Sequence, residues 1–322
     1  MIMYYIGVDI GGTGIKTGIV KDDYTLIDKS SIPTDKSFDY KVIVKDIAKQ
    51  IGDLIAKNGI TWDEVGAIGI GCPGAINSEK GTVDYANNLH WEEVPLAPAL
   101  AQETGKIVKI SNDANVAALG ETKCGAGKKY HDTILVTLGT GVGGGVVIEN
   151  KLFEGFESKG TELGHMVIVR DGEQCSCGRK GCLEAYASAT ALIRDTKRAM
   201  EKDKNSLMWK FSPTLDEVDG RTSFECAKQG DASAQKVVDE YIAYLGEGVS
   251  NFVNIFRPQA ILLGGGVCAQ GEYLTKPLKK FVHEHTYGGK NIPEPEILIA
   301  TLGNNAGIIG AASLVIPDKR DV

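Results

Sequence analysis

A strand, a glycine-rich turn and a second strand occur twice in this sequence, and this repetition constrains the fold more than any other feature. The first copy occupies residues 4–20, with the first glycine turn at residues 10–14. The second copy occupies residues 133–148, with the second glycine turn at residues 139–141. Short apolar runs on both sides of each turn predict a β-hairpin. The duplication indicates two related α/β halves, which we expect to face each other across a central cleft with both turns near one ligand.

The remaining elements are predicted from apolar spacing and capping residues. These patterns predict helices at residues 40–57, 114–121, 186–200, 236–256 and 302–315, and strands at residues 67–71, 106–110 and 260–263. We interpret the apolar stripe along residues 236–256 as core packing. Residues 203–225 are polar and weakly patterned, and we interpret them as an insertion of unknown role.

Composition excludes several classes of protein. Of the 322 residues, 43% are hydrophobic and 24% are charged, which is typical of a folded globular protein. The formal net charge of −7 argues against a nucleic-acid surface. No apolar run approaches the ~18–20 residues of a membrane span, and the N-terminus lacks the pattern of a signal peptide. The seven cysteines are odd in number and do not suggest a disulfide framework, so we expect a reducing, cytoplasmic location.

The glycine turns are candidate phosphate-binding sites. Gly139, Gly141 and Gly144 match the dinucleotide pattern GxGxxG, but a strand pattern follows them where that fingerprint requires a helix. A P-loop with Gly-Lys-Ser/Thr is also missing. Backbone N–H groups of a hairpin turn can still line an anion, although an ordinary tight hairpin explains either turn alone slightly better. Two similar turns, with a third glycine turn at residues 264–266 after another strand, favour nucleotide binding.

Two aspartates lie at the ends of predicted strands. Asp9 precedes the first glycine turn, where its carboxylate could hold Mg²⁺ or simply cap the turn; we favour the metal. Asn112 and Asp113 lie between a strand and a helix, where polar residues are usually caps. The carboxyl ends of strands are also where open α/β folds gather their ligands. Asp113 is therefore a candidate base for phosphoryl transfer, with Asn112 orienting the acceptor.

One histidine and three cysteines form a candidate metal site. His165, Cys175, Cys177 and Cys182 lie within 18 residues and offer the donors of a tetrahedral structural zinc site. The Cys-x-Cys spacing is tighter than that of common zinc fingers. Three free buried thiols or a redox pair are the alternatives. We favour zinc over both, because a polar loop flanked by glycines is an improbable place for buried thiols.

A zinc ion here would tie together the segments that carry Glu162 and Glu184. Both carboxylates could then accept hydrogen bonds from neighbouring sugar hydroxyls. If one nitrogen of His165 ligates zinc, the other keeps its N–H and could donate to a hydroxyl.

These motifs resemble those of the ROK family (repressors, open reading frames and sugar kinases), particularly its glucokinase branch. The resemblance spans nearly the whole chain in the expected order, and the His and Cys pattern is its most specific part. It is carried by residues 9–13, 72–74, 87–91, 112–115, 138–141, 162–165, 175–184 and 264–266. It implies duplicated α/β domains of the actin-like, hexokinase-like (ribonuclease H-like) class with a central cleft. We place the smaller domain at residues 1–111 plus 303–322, and the larger, with the zinc-binding loop, at residues 112–302.

The resemblance also implies which residues do what. Asp113 corresponds to the catalytic base, and the zinc ligands are His165, Cys175, Cys177 and Cys182. The positions that match sugar contacts are Gly74, Asn88, Asn112, Asp113, Glu162, His165 and Glu184. The positions that match the Mg-ATP site are Asp9, Gly11, Gly12, Thr13, Lys16, Gly139, Thr140, Gly141, Gly264, Gly265 and Gly266.

The activity implied is phosphorylation of a hexose by Mg-ATP, with glucose favoured, in a homo-oligomer of two or four subunits. Kinases for fructose, mannose, allose or N-acetylated hexosamines share nearly the same acceptor residues, so the hexose stays open. A non-catalytic sugar-binding regulator is the other alternative. A repressor is disfavoured, because the first phosphate motif begins at Asp9 and leaves no room for DNA-binding helices, and the charge is acidic. An NAD-dependent oxidoreductase is disfavoured because no helix pattern follows Gly144.

Overall fold

The computed structural model of the chain describes residues 3–317. The strands in this part of the chain are β1 (Tyr4–Ile10), β2 (Gly14–Lys21), β3 (Leu26–Pro33), β4 (Val65–Cys72), β5 (Ala75–Asn77), β6 (Thr82–Ala86), β7 (Trp91–Val94), β8 (Ile107–Asn112), β9 (Thr133–Leu138), β10 (Val142–Ile148), β11 (Lys151–Phe153), β12 (Ala260–Gly264) and β13 (Glu296–Ile299).

The helices in the same residues are α1 (Tyr40–Lys57), α2 (Leu96–Thr104), α3 (Asp113–Lys123), α4 (Glu184–Ala187), α5 (Ala189–Lys202), α6 (Met208–Phe211), α7 (Thr222–Lys228), α8 (Ala232–Phe256), α9 (Glu272–His285) and α10 (Ala306–Ser313). None of the helices that the structure describes is long and apolar enough to cross a membrane.

The chain forms two compact units. The first comprises Met1–Leu135, Gly145–Thr161 and Ala300–Val322, and the second comprises Val136–Gly144 and Glu162–Ile299. The predicted domain boundaries at residues 111, 112, 302 and 303 stay a prediction. Residues 1, 2 and 318–322, which fall in the predicted smaller domain, lie outside the described residues.

The first five-stranded sheet gathers strand ends at one edge. Its order is β3-β2-β1-β4-β8. Strands β1 and β2 pair antiparallel, as the first hairpin predicts, while β1 pairs parallel with β4 and β4 pairs parallel with β8. In this register Asp9 is opposite Gly71, and Cys72 is opposite Asn112. The carboxyl ends of three neighbouring strands therefore meet at the edge that carries Asp9 and Asn112.

The second five-stranded sheet has the order β11-β10-β9-β12-β13, and a three-stranded sheet has the order β5-β6-β7. Strand β10 begins immediately after the second glycine turn and contains Gly144. The strand predicted after Gly141 is thus confirmed, and the helix that a dinucleotide fingerprint needs is not formed there. Strand β12 pairs parallel with β13 and ends at Gly264, the start of the third glycine turn.

The helix predictions were confirmed in most places. Helix α1 has the predicted bounds, and α8 buries the predicted stripe, including Leu245 and Phe252. The single helix predicted over residues 186–200 is wrong, because the chain forms α4 and α5 with an extended residue, Ser188, between them. The Ser188 hydroxyl accepts a hydrogen bond from Ala191 N at 3.0 Å and caps α5, which is a favourable role for serine. Residues 203–225 are ordered around buried Phe224, and their role stays open.

Helix α10 packs on β1, β4 and α3 with almost no side chain between the backbones. Glycine lies at the contact points: Gly7 on β1, Gly69 on β4 and Gly310 on α10. A Cβ atom at any of these three positions would overlap a backbone oxygen of the facing element. The glycines therefore let α10 lie directly against the face of the sheet and against α3.

A buried carboxylate fixes the segment that leads into α10. Glu121 on α3 is fully buried, and its side chain accepts backbone hydrogen bonds from Ala126 at 2.9 Å, Thr301 at 3.1 Å and Leu302 at 2.7 Å. A buried charge is tolerated only when it is well hydrogen-bonded. Glu121 thus ties α3 to the residues that precede α10.

We expect Gly310→Ala to destabilise the protein, because the added methyl group would force α10 away from α3. Overpacking of this kind typically costs about 1–3 kcal/mol. The matched control is Gly52→Ala in α1, where the nearest atom to a new Cβ is Trp62 Cζ2 at 3.9 Å. That change should instead stabilise by up to ~1 kcal/mol, since alanine is the better helix former. Urea unfolding of the three proteins measures both effects, and shifts of the same sign would contradict the packing argument.

Candidate active site

Asp9 lies at the end of β1, between a lysine and a helix. Its Oδ2 pairs with Lys16 Nζ at 3.2 Å across the β1–β2 hairpin. On its other side is the first turn of α10, where a Cβ at Gly307 would lie 2.7 Å from Asp9 Cγ. The N-terminus of a helix favours negative charge. The fold therefore places the Asp9 carboxylate between a positively charged side chain and the first turn of a helix.

The first glycine turn is fixed from one side by Thr34. Gly11 N donates to Gly14 O at 2.9 Å and closes the turn. The Thr34 hydroxyl donates to Gly11 O at 2.6 Å, and Thr34 N donates to Thr13 O at 3.3 Å. The turn is thus held in one conformation by its own Gly11 N–H hydrogen bond and by the contacts from Thr34, and the Thr34 contacts use none of the turn's N–H groups.

Asn88 lies beside this turn in the first unit. It is an exposed residue of the 3₁₀ turn Asn87–Leu89. A Cβ at Gly12 would lie 3.5 Å from Asn88 O, an ordinary contact. Gly12 and Asn88 are therefore neighbours, as a shared site requires.

Asn112 is the cap of α3, so the cap that the sequence left as an alternative is present. Its Oδ1 accepts from Ala114 N at 2.9 Å, and its Nδ2 donates to Gly74 O at 3.1 Å. Gly74 has a φ of 108°, and a Cβ there would overlap Tyr85 O. Only glycine fits this position. Asn112 thus fixes the backbone at Gly74 while it starts the helix that carries Asp113.

Asp113 is the first residue of α3 and has an altered acidity. Solvent reaches its side chain, but loss of hydration to the surrounding protein raises the pKa of its carboxyl, and the negative charge of Asp9 raises it further. A hydrogen bond from Ala114 N at 2.9 Å opposes this shift. A carboxylate with a raised pKa is a better proton acceptor than an ordinary aspartate.

In the second unit, the second glycine turn is held by the start of α5. Gly139 N donates to Gly141 O at 3.0 Å within the turn. Ala189 N donates to Gly139 O at 2.8 Å, and the Thr190 hydroxyl donates to Thr140 O at 2.7 Å. The break between α4 and α5 therefore allows Ala189 N and the Thr190 hydroxyl to donate hydrogen bonds to the turn.

The third glycine turn lies beside the second. Gly265 has a φ of 94°, and a Cβ there would overlap the backbone of Leu138, the residue before the second turn. At Gly139 and Gly266 the situation is different, because a Cβ would meet nothing within 4 Å. The protein's own packing does not require glycine at those two positions. Glycine there leaves room for a ligand to approach the backbone.

The predicted metal ligands come together. The ligand atoms of His165, Cys175, Cys177 and Cys182 all lie within 4.8 Å of one another. His165 Nδ1 is 3.6 Å from Cys175 Sγ, and Cys177 Sγ is 3.7 Å from Cys182 Sγ. Two ligands of a tetrahedral zinc ion are about 3.5–3.8 Å apart. One nitrogen and three sulfur atoms at this spacing fit zinc.

The loop that carries these cysteines depends on two glycines. Gly178 and Gly181 have φ values of 89° and 82°, which favour glycine. Contrary to the sequence argument about a polar loop, Cys175 and Cys182 are buried and only Cys177 is exposed. Burial raises the pKa of Cys182 to about 12. A bound cation would reverse this preference, because coordinated thiols lose their protons.

Glu184 and the segment of Glu162 meet at one residue of β10. A Cβ at Gly164 would overlap Val142 O, so the segment from Glu162 to His165 packs directly against the backbone there. Glu184 Oε2 accepts from Val142 N at 3.1 Å, and Glu184 Oε1 accepts from Ser176 Oγ at 2.8 Å. The second unit therefore brings together the second and third glycine turns, Glu184, and the cysteine and histidine cluster.

Sequence reasoning missed the residues that link these parts. Ser176 lies between two predicted ligands and carries no motif of its own, and Val142 contributes through its backbone N–H and C=O groups. Almost every residue type has the same backbone N–H and C=O groups, so the sequence does not show which of them make such contacts. The only signal for this contact is the absence of a side chain at Gly141 and Gly164, which the sequence alone explains equally well as turn glycines.

The chain is similar to known proteins over nearly its whole length. The model of the ROK family matches residues 5–318. A glucokinase of Thermotoga maritima is 37% identical over 311 residues, which cover 96% of this chain and 96% of that protein.

Among solved structures, the ROK family glucokinase of Streptomyces griseus, in complex with glucose and AMPPNP, is 36% identical with a TM-score of 0.77 and covers 97% of this chain and 99% of that one. The ROK hexokinase of Thermus thermophilus is 30% identical with a TM-score of 0.82 and covers 99% and 100%. The predicted fold class is thereby confirmed.

We expect Asp9→Asn to lower the pKa of Asp113, because it removes a negative charge that raises that pKa. A carbon-13 NMR titration of the aspartate carboxyl groups measures the shift, with Asp113→Asn used to assign the signal. Asp28→Asn is the control, since Asp28 is not among the groups that raise the pKa of Asp113. An unchanged or raised pKa in Asp9→Asn would show that the two carboxylates do not interact.

Proposed function

This chain belongs to the ROK family, and we propose that it is an ATP-dependent hexose kinase that transfers the γ-phosphoryl group of Mg-ATP to glucose. The observation that carries the proposal is the pair of carboxylates at one sheet edge, Asp113 with a raised pKa and Asp9 beside it. Such a pair supplies both a proton acceptor and a magnesium ligand. Glucose and ATP are indicated by the glucokinases that the chain resembles over nearly its whole length.

Phosphoryl transfer requires little covalent chemistry from a protein. It requires an acceptor hydroxyl in line with the γ-phosphate, neutralisation of charge, and a residue that takes the hydroxyl proton. We assign the last role to Asp113. Its raised pKa favours proton capture, and its place at the start of α3 beside the Asn112 cap fixes the direction of its carboxyl.

Asp9 fits magnesium. Mg²⁺ is held in such sites by one or two carboxylates together with the substrate's phosphates. The Asp9 carboxylate offers hard oxygen atoms next to the first glycine turn, and Lys16 adds a positive charge 3.2 Å away. Bound magnesium supplies neutralisation of the phosphate charge. Asp9 and Lys16 together orient the nucleotide's phosphates, which we expect to lie along Gly11, Gly12 and Thr13.

The glycine turns of the second unit are suited to the rest of the nucleotide. Open space at Gly139 and Gly266, together with the anchored carbonyl groups of the second turn, leaves backbone N–H groups available to an anion. We therefore assign the nucleotide to the second turn (Gly139, Thr140 and Gly141) and to the third turn (Gly264, Gly265 and Gly266).

Sugar hydroxyls are recognised by hydrogen bonds from several directions. We assign this role to exposed Glu162, to Glu184 and to His165, whose Nδ1 faces Cys175 and whose Nε2 is left to donate to a hydroxyl. In the first unit, exposed Asn88 and the Asn112–Gly74 pair add further polar groups. The sugar contacts that we assign are Gly74, Asn88, Asn112, Asp113, Glu162, His165 and Glu184.

We propose that zinc occupies the cluster of His165, Cys175, Cys177 and Cys182 as a structural ion. The donor atoms and their spacing fit zinc, and the loop carries Glu184 two residues after its last ligand. The ion would fix the position of the sugar-binding carboxylate. The homo-oligomer of two or four subunits and the cytoplasmic location remain proposals from the family resemblance.

The test is release of ADP from Mg-ATP with glucose, fructose, mannose, allose, N-acetylglucosamine and N-acetylmannosamine each offered separately. We expect saturable turnover with glucose and a lower kcat/KM with the others. Preference for another sugar would support the kinase activity and change the substrate that we assign. No turnover with any of them, from folded protein with its metal, would favour a binding or regulatory role.

Asp113→Asn should abolish most turnover while glucose still binds. Loss of a general base typically costs about 10²–10⁴-fold in rate, and asparagine has nearly the same volume as aspartate. ADP release measures kcat, and calorimetric titration measures glucose affinity. Asp28→Asn serves as the control, since Asp28 is a partly exposed aspartate that pairs with Lys57 and is not among the groups that shift the pKa of Asp113.

Unfolding does not explain the expected loss. A carboxyl whose pKa is raised in the folded state is destabilising when ionised, that is, above that pKa. Asp113→Asn should therefore be at least as stable as the parent at neutral pH. Retained turnover would show that another group is the base.

Cys177→Ala should lower both the zinc content and the glucose affinity, because it removes one of four ligands. Zinc is measured by mass spectrometry of the purified protein and glucose by calorimetry. Cys124→Ala is the control, since Cys124 lies outside the cluster. Unchanged glucose affinity in a zinc-free variant would contradict the link between metal and sugar.

A further inference from the structure

The two carboxylate oxygens of Glu184 have different neighbours, and Oε1 also lies 3.6 Å from Cys175 Sγ. Oε1 accepts a hydrogen bond from Ser176 Oγ at 2.8 Å, and Ser176 lies in the loop between Cys175 and Cys177. Oε2 accepts from Val142 N at 3.1 Å, and Val142 is the residue that directly follows the second glycine turn. One side chain therefore bridges the candidate metal loop and the candidate nucleotide turn.

The carboxylate also explains why residue 141 is glycine. A Cβ at Gly141 would overlap Oε2 of Glu184, so the carboxylate rests against the backbone of Gly141 and Val142. The space above Gly141 is filled by a protein side chain, in contrast to the open space at Gly139. Gly141 thus serves the contact with Glu184.

The second glycine turn is anchored at each of its parts by the segment from Glu184 to Thr190. Ala189 holds Gly139, Thr190 holds Thr140, and Glu184 holds the exit of the turn at Val142. Of these three, only Glu184 is charged. Hydrogen bonds to a charged group are roughly twice as strong as neutral ones, so the exit of the turn depends most on Glu184.

We propose that Glu184 is a positioning residue for the nucleotide as well as a ligand of the sugar: it fixes the exit of the second glycine turn through Val142 N and connects that turn to the metal loop through Ser176. This inference rests on the proposed function, in which the second turn binds ATP. In this proposal one carboxylate contacts both the sugar and the nucleotide turn. Phosphoryl transfer requires these two to be correctly placed relative to each other.

The two requirements on Glu184 can be separated by substitution. In Glu184→Gln, the amide oxygen can accept from Val142 N while the amide N–H donates to Ser176 Oγ, so both contacts are kept but the charge is lost. In Glu184→Ala, both contacts are lost. Sugar hydroxyls that donate to a carboxylate lose the charge-assisted bond in either variant.

The experiment is calorimetric titration of magnesium-AMPPNP without sugar, and of glucose without nucleotide, into the parent, Glu184→Gln and Glu184→Ala. We expect Glu184→Gln to keep AMPPNP affinity near that of the parent and Glu184→Ala to weaken it about tenfold or more. Glucose affinity should fall in both. Parent-like AMPPNP affinity in Glu184→Ala, or an equal loss in both variants, would overturn the positioning role.

A double-mutant cycle distinguishes loss of the contact between Glu184 and the second glycine turn from a general defect of Glu184→Ala. Gly141→Ala should weaken AMPPNP binding in the parent, because its methyl group displaces the carboxylate from Val142 N. In the Glu184→Ala background the same change should cost much less, because the overlapping carboxylate is absent. Equal costs in the two backgrounds would overturn the proposal.

Zinc content of each variant is measured alongside, so that loss of the metal is recognised. Failure of the inference and failure of the proposed function give different results. Unchanged glucose affinity in both Glu184 variants would remove Glu184 from the sugar site, while a selective loss of AMPPNP in Glu184→Ala would still support the positioning role.

Discussion

Backbone-to-backbone packing of α10 against β1, β4 and α3 is the constraint on which the first unit depends. Gly7, Gly69 and Gly310 leave no side chain between these elements, so the two helices and the sheet have one relative position. Helix α3 begins with Asp113, and the first turn of α10 faces Asp9. Loss of hydration and the negative charge of Asp9 both raise the pKa of Asp113. The three glycines touch neither carboxylate, yet a small shift of α10 would change the surroundings of Asp9.

The second unit uses the same principle at its own turn. Gly164 lets the Glu162 segment rest on Val142, and Gly141 lets the Glu184 carboxylate rest beside the N–H group of the same residue. In the second unit, the Glu184 carboxylate is positioned by a backbone N–H group of a neighbouring element, which cannot rotate as a side chain does. Such a position suits a reaction that depends more on placement than on covalent chemistry.

Features that depend on residues close together in the chain could be predicted from the sequence. Features that depend on residues far apart in the chain could not. The two hairpins, the bounds of α1 and the clustering of Cys177 and Cys182 with Cys175 were predictable, because local periodicity and spacing encode them. The break at Ser188 was not, because the apolar period continues through it and tertiary contacts to the second turn decide the conformation. The proximity of Asp9 to Asp113 depends on the register of parallel strands, which no local pattern records. The contact from Glu184 to Val142 N was invisible for a similar reason, since its acceptor is 42 residues from its donor.

The 40 glycines show why composition alone was ambiguous. Some are required because a Cβ would overlap backbone, as at Gly310, or because φ is positive, as at Gly265. Others, such as Gly139 and Gly266, have neither requirement, and a methyl group would fit without contact. A glycine of the first kind costs conformational entropy that packing offsets, whereas a glycine of the second kind carries the entropic cost with no internal gain. What offsets that cost must come from outside the chain, and at the ends of two neighbouring strands the physical candidate is a bound anion held by backbone N–H groups.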